Sequence, residues 1–194
     1  MCPEILHEQK IMDADGMRRS VLKITHEILA RNKGAKNLAI LGVQTRGVHL
    51  ARRIQEHIRQ IENADVPLGI LDVSMYRDDF RSGIRQASVK ITAIPFEVDG
   101  KNIVLVDDVF YTGRTTRAAM DAIMDFGRPK RVRFAVLVDR GHRELPICAD
   151  YIGTTIKTQF NQEIRVRMTE VPEDGIDEVT LVTFDEQDDS GERD

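Results

Sequence analysis

Two adjacent aspartates, Asp107 and Asp108, precede a turn rich in threonine and glycine in the segment VLVDDVFYTGRTT, residues 104–116. Glycine lets a backbone approach a ligand closely, and the amide groups at the start of a helix bind phosphate. Carboxylates beside a phosphate are repelled unless hydroxyl groups or a cation lie between them. A phosphorylated ribose fits this arrangement, because its two hydroxyl groups can bind the aspartates while its 5-phosphate binds the turn. Magnesium would supply the cation. The segment therefore predicts a site for a phosphorylated sugar.

Structural roles also account for such residues, because aspartate is common at strand ends and threonine at helix N-caps. A receiver domain of the flavodoxin type is the nearest structural alternative, since it carries paired acids beside a strand end. Here, however, the acids follow the third or fourth predicted strand, and 194 residues exceed the length of one receiver domain.

The elements around this segment alternate between strand and helix. Short, continuously apolar runs predict buried strands, and apolar residues at helical spacing predict amphipathic helices. The predicted strands are residues 37–43, 67–73, 101–109 and 131–139, and the predicted helices are residues 13–33, a second one from residue 48, and residues 115–127. This alternation predicts an α/β fold, a mostly parallel sheet with helices on both faces.

Residues 163–168 and 179–184 alternate as antiparallel strands do and predict a small hood. An edge strand is predicted within residues 89–98, because Pro95 cannot occupy a central strand. Residues 76–90 are polar and predict a long loop. Ligands bind beyond the carboxyl ends of parallel strands, where we expect three loops, namely residues 44–47, 107–115 and 139–155.

The composition indicates one soluble, cytoplasmic domain. Of the 194 residues 41% are hydrophobic and 31% charged. No apolar run is long enough to span a membrane, and the first residues do not resemble a signal peptide. Cys2 and Cys148 lack the spacing of a zinc site or a disulfide framework. We expect a single domain over residues 1–185 and an acidic, disordered tail over residues 186–194.

Charge is distributed unevenly along the chain. Residues 170–194 contain 11 acids and one base, a net charge of −10, whereas the rest of the chain carries +6. A positive body attracts phosphate groups, diphosphates or nucleic acid through its long-range field. A solvated surface without any partner explains the same charges.

Several segments resemble those of one known family. VLVDDVFYTGRTT resembles the phosphoribosyl diphosphate signature of the type I phosphoribosyltransferases. RNKG, TRG, YRDD, DRGHRELPI and ADYIG, in order between residues 31 and 153, resemble the bifunctional pyrimidine operon attenuator and uracil phosphoribosyltransferase (PyrR) family. The resemblance implies a type I phosphoribosyltransferase fold and the conversion of uracil and phosphoribosyl diphosphate to UMP and diphosphate. It also implies UMP- or UTP-responsive binding to the leader RNA of pyrimidine genes.

Two alternatives remain open at this point. The first alternative is a uracil phosphoribosyltransferase that has lost RNA binding, and the second is a purine-type phosphoribosyltransferase. Tyr111 favours a pyrimidine, because it occupies the place where, by the resemblance, 6-oxopurine transferases carry an aspartate that handles the ring proton. A phenol does not act as that base near neutral pH.

The resemblance implies that Arg46, Asp107 and Asp108 are the catalytic residues. The aspartates would hold the ribose hydroxyls, and Arg46 would stabilise the leaving diphosphate. Magnesium is implied as cofactor, held mainly through diphosphate and ribose oxygens. The family also has a non-proline cis peptide in the loop of residues 44–47. The residues implied to bind phosphoribosyl diphosphate or UMP are Thr45, Arg46, Gly47, Asp107, Asp108, Val109, Phe110, Tyr111, Thr112, Gly113, Arg114 and Thr115.

Two further loops take part according to the resemblance. The residues implied to begin a flexible loop that closes over the diphosphate are Tyr76, Arg77, Asp78 and Asp79. Main-chain groups of Arg140, Gly141 and His142 would recognise uracil. A structural role is the alternative for His142, and no general base is identified.

RNA binding is implied for Arg19, His26, Arg31 and Arg143, and the resemblance also implies a homodimer or homotetramer. Family members usually read IRADYIGKN after DRGHREL, whereas this chain has Cys148 and Thr154 at two commonly basic positions. Two phosphate contacts are thereby lost, so we expect RNA binding weaker than the family pattern suggests.

Overall fold

The computed structural model describes residues 4–73 and 92–185, and this part of the chain contains three helices and eight strands. In chain order they are β1 (Ile5–Met12), α1 (Ala14–Asn32), β2 (Leu38–Val43), α2 (Arg46–Glu62), β3 (Leu68–Leu71), β4 (Asn102–Phe110), α3 (Arg114–Asp125), β5 (Arg131–Asp139), β6 (Tyr151–Thr155), β7 (Gln162–Arg167) and β8 (Glu178–Phe184). Five strands form a parallel sheet in the order β3-β2-β4-β5-β6. The predicted α/β fold with a mostly parallel sheet is confirmed.

Helices cover both faces of this sheet because successive residues of a strand point to opposite sides. Ile40 and Val104 pack with residues of α1 and α2, whereas Leu41 and Leu105 pack with residues of α3. All four side chains are buried. The strands therefore read as continuous apolar runs, which is why the sequence predicts them well.

Helix α1 follows from local signals. Asp13 caps it, because its Oδ1 accepts a hydrogen bond from the N–H of Gly16 at 2.8 Å. The apolar face of this helix is buried as predicted and consists of Met17, Val21, Ile24 and Ile28. The second predicted helix is α2, whose buried face includes Val48, Ala51, Ile54 and Ile58.

The hood is the antiparallel sheet β1-β8-β7. Its centre is β8, and Ile5 in β1 pairs with Phe184 at the end of β8. Val166 of the hood belongs to the same buried cluster as Met17 of α1, so the hood packs against the main body. The two antiparallel strands predicted here are confirmed as β7 and β8, whereas β1 was not predicted.

The prediction of one loop over residues 139–155 is wrong at its end. Residues from Tyr151 to Thr155 form β6, which pairs with β5 along the edge of the parallel sheet. A Cβ atom added to Gly153 would lie 2.5 Å from the carbonyl oxygen of Leu137, so a glycine is needed where the two strands and α1 meet. This glycine and the polar residues after it conceal the strand in the sequence.

The edge strand predicted within residues 89–98 is also wrong for its described part. Ala93 forms an isolated antiparallel bridge with Ile70, and no strand follows it within residues 92–98. Pro95 has no N–H to extend such pairing. The loop predicted at residues 76–90 and the tail predicted at residues 186–194 lie outside the described residues.

Within the described ranges, no helix combines the length and the apolar character that crossing a membrane requires.

Candidate functional site

The loops expected at the carboxyl edge of the parallel sheet are in contact with one another. The N–H of Arg140, after β5, donates to the carbonyl oxygen of Phe110 at the end of β4, at 3.0 Å. The N–H of Glu144 donates to the carbonyl oxygen of Thr112, also at 3.0 Å. The carboxylate of Glu144 pairs with Arg114 at 2.7 Å. The loop after β5 is thus fastened to the turn between β4 and α3.

The loop of residues 44–47 lies directly against β4 at Val106 and Asp107. A Cβ atom added to Gly47 would lie 2.5 Å from the carbonyl oxygen of Val106, so only glycine fits there. The non-proline cis peptide that the family resemblance implies is present between Gln44 and Thr45. Arg46 is the first residue of α2. This packing places the start of α2 beside the two aspartates.

Asp107 and Asp108 lie in β4 just beyond the last residue that pairs with β2. The pairing of β4 with β2 stops at Val106 and Gly42, one residue before the acids. Asp107 is buried, and its Oδ1 accepts a hydrogen bond from the N–H of Asp108 at 2.9 Å. Asp108 is half-buried. The backbone thus fixes the first carboxylate, and the second borders the cavity described below.

The turn between β4 and α3 has the geometry of an anion site. Gly113 adopts φ +94 immediately before α3, a conformation that favours glycine. The first hydrogen bond of the helix runs from the N–H of Arg117 to the carbonyl oxygen of Gly113 at 2.9 Å. N–H groups earlier in the first turn have no carbonyl partner within a helix, and such groups bind phosphate.

Arg140 and His142 form a cluster with Tyr111 and with the segment before β7. The Nε of Arg140 donates to Oγ1 of Thr158 at 3.1 Å, and its guanidinium lies 4.1 Å from the ring centre of Tyr111. Burial lowers the pKa of Arg140. His142 has its Nε2 2.7 Å from the carbonyl oxygen of Thr158 and packs against Phe160, which is 87% exposed. Nothing in the sequence around Thr158 or Phe160 singles them out.

Two of the main-chain donors expected to meet a base are already used within the protein. The N–H of Arg140 donates to Phe110, and the N–H of Gly141 donates to Oδ1 of Asp139 at 3.0 Å. His142 adopts a left-handed backbone with φ +58. Main-chain recognition of a base in this loop would therefore use groups other than these two N–H groups.

A cavity of about 440 Å³ separates these loops from the hood. Its lining comes from the start of α2, the end of β4, strand β7 and the turn before β8. The lining residues are Arg46, Asp108, Val109, Glu163, Ile164, Arg165, Val166, Arg167 and Asp174. Because charged side chains of both signs border it, the cavity suits a polar ligand.

Arg46 forms a two-point ion pair with Asp174 across this cavity. Nε of Arg46 donates to Oδ2 of Asp174 at 3.0 Å, and Nη2 donates to Oδ1 at 2.7 Å. This hydrogen bonding raises the pKa of Arg46. Burial works to raise the pKa of Asp174, but the hydrogen bonds from Arg46 and from the N–H of Met168 outweigh it and hold that pKa low. Asp174 lies in the strongly acidic C-terminal segment, where no motif marks it.

The residues implied in RNA binding lie in two places. Arg19, His26 and Arg31 are exposed along α1, and Arg31 pairs with Asp150 at 3.3 Å. Arg143 instead pairs with Asp139 at the end of β5. A cavity of about 740 Å³ runs beside α1, and its lining residues are Lys10, Ile11, Met12, Asp13, Gly16, Arg19, Ser20, Lys23, Gly153 and Thr154.

Tyr76, Arg77, Asp78 and Asp79, expected in a flexible loop, lie outside the described residues. Among the residues that are described, no group of three or more His, Cys, Asp or Glu side chains is placed to hold a metal ion.

Residues 9–170 match the model of the phosphoribosyl transferase domain. The chain is 53% identical over 173 residues to the bifunctional protein PyrR of Pelotomaculum thermopropionicum, covering 89% of this chain and 94% of that protein. It is 52% identical over 164 residues to the protein of the same name from Listeria monocytogenes serotype 4a, covering 83% and 90%.

Solved structures agree on the fold. The hypoxanthine phosphoribosyltransferase of Trypanosoma cruzi superposes with a TM-score of 0.68 at 16% identity, covering 91% of this chain and 97% of that one. A hypoxanthine-guanine phosphoribosyltransferase of Bacillus anthracis superposes with a TM-score of 0.65 at 19% identity, covering 94% and 99%. At such identities the likeness bears on the fold alone.

Proposed function

This chain belongs to the phosphoribosyltransferase family and, within it, to the PyrR branch of pyrimidine regulators with uracil phosphoribosyltransferase activity. We propose that it transfers the 5-phosphoribosyl group of phosphoribosyl diphosphate to N1 of uracil. We further propose that uridine nucleotides bound in the same site control its binding to RNA.

The observation that carries the proposal is the meeting of three features at one edge of the sheet. Gly47 packs the loop of Arg46 against β4, Asp108 borders the cavity beside Arg46, and Gly113 opens α3 a few residues further on. A phosphoribosyl diphosphate molecule has three matching parts, which are a diphosphate, a ribose diol and a 5-phosphate.

The proposed reaction needs no nucleophilic side chain. The bond between C1 of the ribose and the diphosphate oxygen breaks, and the electron pair leaves with the diphosphate. A bond forms between C1 and N1 of uracil, and the N1 proton passes to water. Arg46 and nearby main-chain amides stabilise the charge on the leaving group, Asp107 and Asp108 orient the ribose, and the start of α3 holds the 5-phosphate.

Magnesium fits the donor set of this site. Diphosphate and ribose oxygens of the substrate would be its main ligands, because oxygen is the donor that magnesium prefers. The carboxylate of Asp108, which lines the cavity, would lie beside them. When it is bound, magnesium neutralises charge on the diphosphate oxygens.

The base specificity is tested directly with phosphoribosyl diphosphate, magnesium and each of four bases, uracil, hypoxanthine, guanine and xanthine. We expect UMP from uracil and no nucleotide from the three purines, and no product when a chelator removes magnesium. Efficient purine turnover would overturn the choice of uracil and favour the purine-type alternative.

A role in RNA binding is supported by the basic face of α1. Arg19 and Lys23 line the cavity beside this helix, and His26 is exposed one turn further along. Cationic side chains on one helix face can neutralise successive phosphates of a nucleic acid. A homodimer or homotetramer would present this face more than once, and we propose such an assembly.

A further inference from the structure

Two carboxylates of the turn before β8 are held in the same way. Asp174 accepts a hydrogen bond from the N–H of Met168 at 3.0 Å and pairs with Arg46. Asp177 accepts one from the N–H of Thr169 at 2.9 Å and pairs with Arg53 at 2.8 Å. Both arginines belong to α2, at its first residue and two turns later. The hood is therefore clamped to α2 at two points along one helix face.

The two clamps differ in where their arginines lie. Arg46 lines the 440 Å³ cavity together with Asp108, whereas Arg53 does not line it and pairs with Glu170 as well. The side chain of Asp174 is 9% exposed and that of Arg46 34%. Asp174 is thus the more firmly enclosed partner, and Arg46 is held by it.

We propose that Asp174 is a positioning residue for phosphoribosyl transfer, which holds Arg46 in the orientation that meets the leaving diphosphate. This inference rests on the proposed function, in which Arg46 contacts the diphosphate. The pair uses Nε and one hydrogen of Nη2, so both hydrogens of Nη1 lie outside the pair, on a side chain that lines the cavity. A donor fixed in advance costs no reorganisation when charge develops on the leaving group.

Pairing has a second effect on this site. Arg46 and Asp174 together carry no net charge, so the site binds diphosphate in the ground state less strongly than an unpaired arginine would. The fixed orientation of Arg46 therefore stabilises the transition state, while the neutral charge of the pair keeps the diphosphate product from binding tightly. Loss of the carboxylate should separate these two effects, because it frees Arg46 to bind diphosphate while removing its fixed geometry.

The decisive variant is Asp174→Asn, and Asp177→Asn is its matched control. In Asp174→Asn we expect kcat to fall at least about tenfold while inorganic diphosphate with magnesium, measured by calorimetry, binds at least about threefold more tightly. Asp177→Asn should lower the melting temperature about as much as Asp174→Asn does, but it should leave the diphosphate affinity unchanged. Asp174→Glu, which keeps the charge, should recover part of the lost kcat.

Arg46→Ala separates this inference from the function on which it rests. If Arg46→Ala weakens diphosphate binding but Asp174→Asn keeps the wild-type kcat, the positioning role is wrong and the proposed function stands. Equal loss of kcat in Asp174→Asn and Asp177→Asn would also overturn it, because general loosening of the hood would then explain both. If Arg46→Ala leaves diphosphate affinity unchanged, the placement of Arg46 is wrong and the inference falls with it.

Discussion

Gly47 and Val106 lie so close together that a Cβ atom on the glycine would stand 2.5 Å from the valine carbonyl oxygen. This contact joins the start of α2 to the middle of β4, one residue before the aspartate pair. The loop proposed to bind diphosphate can therefore pack against the strand proposed to bind ribose only because residue 47 is a glycine.

Gly47→Ala should damage activity more than stability. The added methyl group would collide with backbone atoms of Val106 and Asp107. A change of side-chain rotamer cannot relieve this collision, so the loop must move away from β4. We expect a loss of about 1–3 kcal/mol in the free energy of unfolding and a fall in kcat/KM of at least about tenfold. Denaturant unfolding and the UMP assay measure the two effects.

Gly100→Ala provides the comparison for this variant. Gly100 has a positive φ but open space around it, and it precedes β4 at the opposite edge of the sheet from the site. We expect moderate destabilisation with unchanged kcat. Wild-type activity in Gly47→Ala would contradict the importance of the contact.

Asp108→Asn should leave the fold intact and reduce transfer. The amide keeps the shape of the carboxylate but weakens its hydrogen bonds to the ribose hydroxyls, so we expect kcat/KM at least about tenfold lower, roughly 1.4 kcal/mol of transition-state stabilisation. Asp121→Asn, on the exposed side of α3 and paired with Arg117, is the control. Undiminished turnover in Asp108→Asn would exclude the ribose assignment.

Acid should loosen the clamp between α2 and the hood. The hydrogen bond from Arg53 holds the pKa of Glu170 below its ordinary value of 4.5. For Asp177, burial acts in the opposite direction, but hydrogen bonds from Arg53 and Thr169 hold its pKa below 3.8. A carboxylate whose pKa is lower in the folded state stabilises the protein above its unfolded pKa, and this stabilisation is lost as the pH falls through the folded value.

We therefore expect the contribution of these carboxylates to stability to be complete at neutral pH and to fall below about pH 4.5. Arg53→Met should lower the free energy of unfolding by about 2 kcal/mol at neutral pH, because two partly buried carboxylates, Glu170 and Asp177, lose their arginine partner. Its melting temperature should also change less between about pH 3 and 7 than that of the wild type. An unchanged pH dependence in Arg53→Met would contradict this assignment.

Binding to a pyrimidine leader hairpin should be measurable, strengthened by UMP and weaker than the family pattern suggests. Thr154 lines the same cavity as Arg19 and Lys23. We expect Thr154→Lys to steepen the salt dependence by roughly 0.9 log units per log unit of salt, and Arg19→Ala to flatten it by about the same amount. Gel-shift titrations at two salt concentrations, with and without UMP, measure both effects.

Arg59→Ala is the control for these titrations, because Arg59 lies in the last turn of α2 and pairs with Asp65. It should not change the salt dependence. Equal and weak binding to the hairpin and to an unrelated RNA would exclude specific RNA regulation and would favour the alternative of an enzyme that has lost RNA binding.

The elements predicted well are those whose signals are local. The buried strand around Ile40 and the capped, periodic helix after Asp13 carry their information within a few residues. The Asp107–Thr115 segment is also local, since one strand end and one helix start bring its members together. Sequence patterns therefore predict the parallel sheet correctly, and they predict the positions that make up one half of the candidate site.

The parts not predicted depend on distant residues. β1 is exposed along most of its length and becomes a strand because β8 pairs with it. Asp174 is one acid among many in its segment, and only the fold places it against Arg46. The contact between Phe160 and His142 could not be predicted either, because only the fold brings the segment before β7 against the loop after β5.

The pairing of Ile5 with Phe184 has a consequence for the newly made chain. A ribosome releases the strands from β2 to β6 before β8 exists, so the parallel sheet and its substrate loops can assemble first. The hood must wait for the last strand, since contacts between distant residues form late. Arg46 then gains its carboxylate partner, Asp174, only after the segment before β8 has been made, so a nascent chain forms the loops of the candidate site before it forms this ion pair.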